Sequence, residues 1–304
     1  MWYTQFMEKQ IHTIEGAHHL VSPTAKLVAY MRAKSDIPYS AQISELTESD
    51  TVTKEIFGSE MIEWWMGAML ELRYKSLSEL VQREALNKGV TNILELAAGI
   101  LPRGIIMTED KNIHYIETDL PDMLAEKKLL VQELQVDMNN RHLDFHSLNV
   151  LDGPEVEKIV GTFPDGPVCI INEGLFQYLT VAEKEIAAKN MYSVLKEKGG
   201  VWITPDLANS SRIRDIVIAY PEMGAVVQKI NSLTQRDFRS NSIGSSEEVE
   251  NFFKRLGFEI VEYSQKDLVS ELSVLKDSSK IDPQKKKMID GLIDSSKVWV
   301  LRAI

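Results

Sequence analysis

The chain has 304 residues, 45 acidic against 34 basic, for a formal net charge of −11. That length suits one α/β domain with an appended cap, and 44% hydrophobic with 26% charged residues is the balance of an ordinary globular protein. A polyanion such as DNA or RNA would be repelled unless a basic patch stood out, and no apolar run approaches the roughly 20 residues that cross a bilayer.

The start, Met1-Trp2-Tyr3-Thr4-Gln5, lacks a basic region followed by an apolar one, so it does not read as a secretory signal. Residues 1–88 read as a helical cap over a core at 89–304. Within the cap, 22–32 carries Leu27, Val28 and Met31 at helical spacing, and Ile37-Pro38-Tyr39 breaks the pattern. A second helix is expected from 59 to about 86, with Gly89 as its C-terminal cap.

From Thr91 to Asp206, strand-like and helix-like segments alternate, the signature of a parallel sheet with helical crossovers. The strands are expected at 92–96, 113–118, 143–148, 168–172 and 201–204. Thr180 and Glu183 fit a capping box for the helix that stops at Gly199-Gly200. A polar helical insertion follows at about 210–240, then a helix at 246–256 and two last strands at 258–263 and 298–302. Two final strands after an alternating sheet imply an antiparallel terminal hairpin. The expected fold is therefore α/β and Rossmann-like, a mostly parallel seven-stranded sheet of the class I methyltransferase type. Lys285-Lys286-Lys287, flanked by Asp282 and Asp290, reads as a solvated helix face. Cys169 sits in an apolar run and reads as a small buried hydrophobe. A lone cysteine makes no internal disulfide, and the cytoplasm is the expected compartment.

The most informative segment is Ile93-Leu94-Glu95-Leu96-Ala97-Ala98-Gly99-Ile100-Leu101-Pro102-Arg103-Gly104. An apolar strand runs into a turn of small residues, which lets the backbone pass close to a ligand. A dinucleotide fingerprint needs three glycines at fixed spacing. Ala97 and Leu101-Pro102 interrupt that pattern, so pyrophosphate binding is disfavoured. S-adenosylmethionine (SAM) carries no phosphate and suits such a loop. Twenty residues after Gly99 comes Asp119, at the end of the second strand. A carboxylate there can accept hydrogen bonds from both ribose hydroxyls of an adenosine; alternatively it caps the helix opened by Leu120-Pro121. Leu148 and Asn149 fall where an adenine would rest, or form an ordinary strand-to-helix loop. Glu173, leaving the apolar fourth strand, is costly to bury unpaired and could meet the ammonium of a methionine moiety. Arg73 and Arg103 could hold its carboxylate, or make surface ion pairs.

Together these segments resemble the leucine carboxyl methyltransferase family, closest to the tetracenomycin-type polyketide carboxyl O-methyltransferase branch. The resemblance rests on Ala98-Gly99 to Arg103, Asp119-Leu120-Pro121, Glu173 with Tyr178-Leu179, Arg73, and Leu256-Gly257-Phe258, and spans about 24–304. It implies SAM as methyl donor, S-adenosylhomocysteine as product, and a small-molecule carboxylic acid as the expected acceptor. Arg73 would contact the SAM carboxylate, Asp119 the ribose and Glu173 the methionine end; Glu95, Ala97, Gly99, Arg103, Leu120, Leu148 and Asn149 complete the expected cofactor set. The family often has Gly where Ala97 stands and Asp-Thr where Leu101-Pro102 stand, which removes one polar contact. No metal is expected.

A carboxylate acceptor is already ionised at neutral pH and needs no general base. Arg32 and Arg212 are candidate partners for it, as are Arg214, Arg236 and Arg239, with Tyr39 and Tyr178 as orienting hydroxyls. For a phenol or amine acceptor, His18 or His19 could serve as base. Two rival functions are a nucleotide-dependent oxidoreductase, which would bind NAD but not SAM, and a non-catalytic relative, which would bind SAM without transferring its methyl group.

Overall fold

Strands β1 (Asn92–Leu96) and β4 (Val168–Asn172) are buried along their whole length. Continuous apolar strands of this kind belong at the centre of a parallel sheet covered on both faces. The computed structural model describes residues 23–57, 63–139, 141–207, 218, 221–234, 240–276 and 281–304.

The sheet is completed by β2 (His114–Asp119), β3 (His142–Ser147), β5 (Gly200–Thr204), β6 (Phe258–Ser264) and β7 (Lys297–Ala303). Its order is β3-β2-β1-β4-β5-β7-β6. The first five strands are parallel, and β7 runs antiparallel to both β5 and β6. All seven expected strands are present, and the antiparallel end is as expected. It is not a tight hairpin, however: residues 265–296 lie between its strands and include a helix. The chain reverses its direction of travel across the sheet between β1 and β4. Such a switch point opens a crevice at the carboxyl ends of the strands, where α/β sheets bind ligands.

The helices are α1 (Pro23–Arg32), α2 (Ser40–Leu46), α3 (Ser49–Phe57), α4 (Glu63–Glu84), α5 (Arg103–Met107), α6 (Pro121–Glu133), α7 (Gly153–Val160), α8 (Val181–Lys198), α9 (Pro221–Thr234), α10 (Ser246–Arg255) and α11 (Pro283–Ser295). The capping box expected at the start of α8 is formed, with Thr180 accepting from the Glu183 N–H and Glu183 accepting from the Thr180 N–H.

One core lies between the sheet and α7, α8 and α10. Trp202 is fully buried there, edge-on to Phe253 with centroids 5.7 Å apart, a geometry worth about 0.5–1.5 kcal/mol beyond area burial. On the opposite face, Leu77, Leu80 and Val81 of α4 pack with Ile93, Val201 and Val300; buried Cys169 belongs to this cluster. A third cluster joins α1, the first half of α4, α9 and α11 through Leu27, Met31, Trp65, Val226 and Met288. Thus α4 serves both units: its first half builds the cap and its second half covers the sheet. Helix α9 falls inside the expected insertion.

Candidate functional site

A cavity of about 790 Å³ opens at the carboxyl ends of β1, β2 and β4, under helix α1. Its floor is the turn after β1. Ala97 (φ 52°) and Gly99 (φ 54°) both take left-handed backbone, a conformation that carries a steric cost for any residue with a Cβ. The turn is held from the side by Asp119: the Gly99 N–H donates to Oδ2 at 2.8 Å, and the Leu120 N–H donates to Oδ1 at 2.7 Å. A Cβ built on Gly99 meets no protein atom within 4 Å, so the space beside the turn is open to a ligand. Each carboxylate oxygen can accept twice, leaving Asp119 able to take two more donors. Burial raises its pKa, opposed by the two backbone donors. Leu120, not Asp119, is the N-cap of α6, with Pro121 in its first turn, so the capping alternative does not hold.

One end of the cavity is apolar. Leu148 is buried there, and Leu120 is 59% exposed on the same wall. Asn149 closes the loop after β3: its Oδ1 accepts from the Leu151 N–H at 3.1 Å, and its own N–H donates to Glu155 at 3.0 Å.

The other end is a buried charge cluster around Glu173. Its carboxylate is fully shielded and accepts from Arg32 of α1, from Nε of Arg73 at 2.8 Å and from Nη2 of Arg103 at 2.6 Å. Arg103 also donates to Glu95 at 2.5 Å, and the Tyr115 hydroxyl donates to the second Glu95 oxygen at 2.6 Å. The Tyr74 ring lies 4.4 Å from the Arg103 guanidinium carbon and 5.7 Å from that of Arg32, within cation–π range. Three arginines against Glu95 and Glu173 leave these five side chains one positive charge in excess. Burial alone would raise the Glu173 pKa, but the three guanidiniums hold it well below the usual carboxylate range. Burial lowers Arg32 to about 10 despite Glu173. The buried Nε of Arg32 has no partner among the described residues.

Of the expected site residues, Arg32, Arg73, Ala97, Gly99, Asp119, Leu120, Leu148, Asn149, Glu173 and Tyr178 all line this cavity. Glu95 and Arg103 do not. Both are fully buried behind the wall, because each satisfies the other's charge; as direct cofactor contacts they are corrected to supports of Glu173. Glu173 itself is closed off by its three arginines rather than open to an ammonium. Tyr39 is also corrected. With φ 65° it turns the chain into α2 and packs half-buried against the sheet side, leaving Ser40 on the cavity wall. Arg212, Arg214, Arg236, Arg239, His18 and His19 lie outside the described residues.

Sequence reasoning missed Asp206. Its carboxylate accepts from the N–H groups of Gly174, Leu175 and Phe176 at 2.8, 2.7 and 3.2 Å and from Asn172 Nδ2 at 2.8 Å, fixing the loop that carries Glu173. The available signal was an acidic residue just past β5, at the same edge as Glu173. A second missed pair is Glu117 with Lys127, 2.8 Å apart and buried beneath the turn. Burial raises Glu117 to about 7, against the opposing pull of Lys127.

Among the described residues, no helix is long and apolar enough to cross a membrane, and no group of three or more metal-binding side chains is assembled. Neither a family model nor a curated protein matches this chain. Solved structures do. A DUF574 family protein of Streptomyces avermitilis superposes with a TM-score of 0.59 at 14% identity, over 92% of this chain and 97% of that one. A candidate methyltransferase of Thermobifida fusca gives 0.58 at 13%, over 97% and 99%. With this sheet order and these neighbours, the chain has the Rossmann-like class I methyltransferase fold.

Proposed function

We propose that this chain is a SAM-dependent O-methyltransferase acting on a carboxylate, or a hydroxyl, of a small molecule, in the manner of the leucine carboxyl methyltransferase family and its tetracenomycin-type branch. The observation that carries this reading is Asp119: a carboxylate with acceptor capacity to spare, beside a left-handed turn, on the wall of a cavity large enough for a nucleoside. Asp119 takes the two ribose hydroxyls, and Leu120, Leu148 and Asn149 flank the adenine. Arg73, with Arg32 beside it, receives the carboxylate of the methionine end; each guanidinium has five N–H donors and gives Glu173 only part of them. Glu173 and Arg103 act through these arginines by fixing their planes. The donors that Arg32 and Arg73 have to spare suit a bound carboxylate.

The bound sulfonium supplies a methyl group already activated for transfer. The protein's part is to hold the two reactants in line and exclude water, which contributes roughly 7–11 kcal/mol in favourable systems. Held by Asp119 at its ribose and by Arg73 at its carboxylate, SAM would present that methyl group to an acceptor oxygen in the same cavity. With a carboxylate acceptor no proton moves, so no general base is required. The single cysteine fits action in the cytoplasm, and the acidic balance disfavours a nucleic-acid acceptor.

Calorimetric titration with S-adenosylhomocysteine and, separately, NAD tests this reading. The expected result is micromolar binding of the former (about −8 kcal/mol) and none of the latter. The reverse pattern would replace the methyltransferase with an oxidoreductase. Binding without methyl transfer to any acid or phenol would leave a non-catalytic SAM-binding protein.

A further inference from the structure

Strands β2 and β3 each begin with a histidine, His114 and His142, and the two are register partners across the parallel pair. Their rings stack, with centroids 4.4 Å apart and planes 24° from parallel. His142 is exposed and His114 half-buried, so solvent reaches the pair. Neither imidazole makes a hydrogen bond among the described residues. Polar side chains further along the sheet are satisfied by protein, Glu95 by Arg103 and Tyr115 and Glu117 by Lys127; these two are left to take a partner from solution. Asp144, also exposed, follows two residues along β3 on the same face as His142, and its negative charge acts on His114.

A neutral imidazole keeps one nitrogen lone pair, and an unperturbed histidine is mostly neutral at pH 7. Two such lone pairs side by side chelate divalent metals of the zinc and nickel kind, for which imidazole is a preferred ligand. Bonds of about 2.0–2.1 Å at a tetrahedral angle set the two bound nitrogens about 3.4 Å apart. The ring centroids stand about 1 Å wider than that, a difference that side-chain rotation closes with the strands in place. Among the described residues no third metal-binding side chain joins them, so water completes the coordination.

We propose that His114 and His142 form a two-histidine site for a divalent transition metal, which fastens β3 to β2. Strand β3 is the edge of the sheet and has β2 as its one neighbour, so a metal bridging the pair reinforces the strand that has least support. The carboxylate of Asp144 adds attraction for the cation. The site lies at the amino ends of the strands, about 16 Å of extended chain before Asp119. It is separate from the cavity at their carboxyl ends and takes no part in the methyl transfer proposed above.

The full chain is titrated by calorimetry with zinc chloride at pH 7.5, and with magnesium chloride as a hard cation that imidazole does not favour. One zinc per chain with micromolar affinity is expected, and no magnesium binding. His114→Ala and His142→Ala each weaken zinc at least tenfold. His12, His18 and His19 lie outside the described residues, and replacing all three with Ala is expected to leave zinc affinity within about twofold. Saturating zinc raises the melting temperature of the wild type by a few degrees and leaves that of His142→Ala unchanged; the melting curves also show that the variants are folded. Absence of saturable zinc binding, full affinity in either folded variant, loss of affinity in the triple variant, equal binding of magnesium, or a wild-type melting temperature that zinc does not raise would overturn the proposal.

Discussion

The two ends of the main cavity are built in different ways. The turn from Ala97 to Gly99 and the Asp119 that braces it follow neighbouring parallel strands, and are joined by the bond from the Gly99 N–H to the Asp119 carboxylate, twenty residues away, and by that from the Ala98 N–H to the Thr118 carbonyl oxygen. The cluster around Glu173 draws Arg32, Arg73 and Arg103 from the cap, from α4 and from the start of α5. One end is local backbone geometry with a carboxylate left open to ligand; the other is long-range electrostatics in which every carboxylate is shielded. The first should govern binding with modest effects on stability. The second should govern stability, and binding only through the two arginines that reach the wall.

The largest effect is expected at Glu173. Replacing it with Ala strands three buried guanidiniums without their shared counter-ion, and breaking a buried pair in this way costs about 3–5 kcal/mol. Urea unfolding of Glu173→Ala checks this; a loss under about 1 kcal/mol would mean that the cluster is not the structural unit described here.

Beneath the turn, Gly104 is tested next. A Cβ there would lie 2.4 Å from Oε1 of Glu117 and 2.8 Å from Cδ1 of Leu143. Gly104→Ala is expected to destabilise by about 1–3 kcal/mol, the usual cost of overpacking, read as a lowered urea midpoint.

Glu117 also distinguishes the two regions by pH. Burial raises its folded pKa to about 7 from an ordinary 4.5. Between those values the native state holds a proton that the unfolded chain has released, so this group's contribution to stability falls as pH rises from about 5 to 7. Glu173 has the opposite sign: its depressed pKa stabilises the fold above the usual carboxylate range, and that contribution is lost in acid. Unfolding curves at pH 5, 6, 7 and 8 should therefore show Glu117→Gln flattening the slope between 5 and 7 by up to about 1.4 kcal/mol per pH unit. An unchanged slope would show that Glu117 does not titrate there.

The smallest effect belongs to the turn. Ala97 holds a left-handed conformation that glycine adopts without steric cost. Ala97→Gly relieves that strain while adding chain entropy to the unfolded state, for a net gain of at most about 1 kcal/mol. A small rise in melting temperature, with ligand binding retained, is the expected result.

The same contrast explains what could be read from the sequence. The central strands β1 and β4 were legible because buried parallel strands read as mostly apolar runs, and the turn was legible because its small residues and Asp119 keep a fixed spacing along one β-α-β unit. The role of the arginines was only half legible. Arg73 and Arg103 could be picked out as cations, yet nothing local says that Arg103 faces Glu95 across a β1–α5 turn or that Arg32 reaches Glu173 from 141 residues away. Tyr39 was misplaced for a related reason: a left-handed residue before α2 turns the chain so that Ser40 takes the wall. Asp206 was passed over because its function is to satisfy backbone N–H groups of a loop 30–32 residues earlier, a partnership set by β4–β5 pairing rather than by motif.

The most direct test of the central claim is S-adenosylhomocysteine binding to the wild-type chain and to Asp119→Ala, each with its unfolding curve. The expected result is micromolar affinity for the wild type and a loss of tenfold or more in the variant. The stability cost should be only about 1–2 kcal/mol, from the two backbone bonds that Asp119 accepts. Unchanged affinity in a folded Asp119→Ala protein, or no binding to the folded wild type, would contradict the assignment of this cavity to an adenosine cofactor.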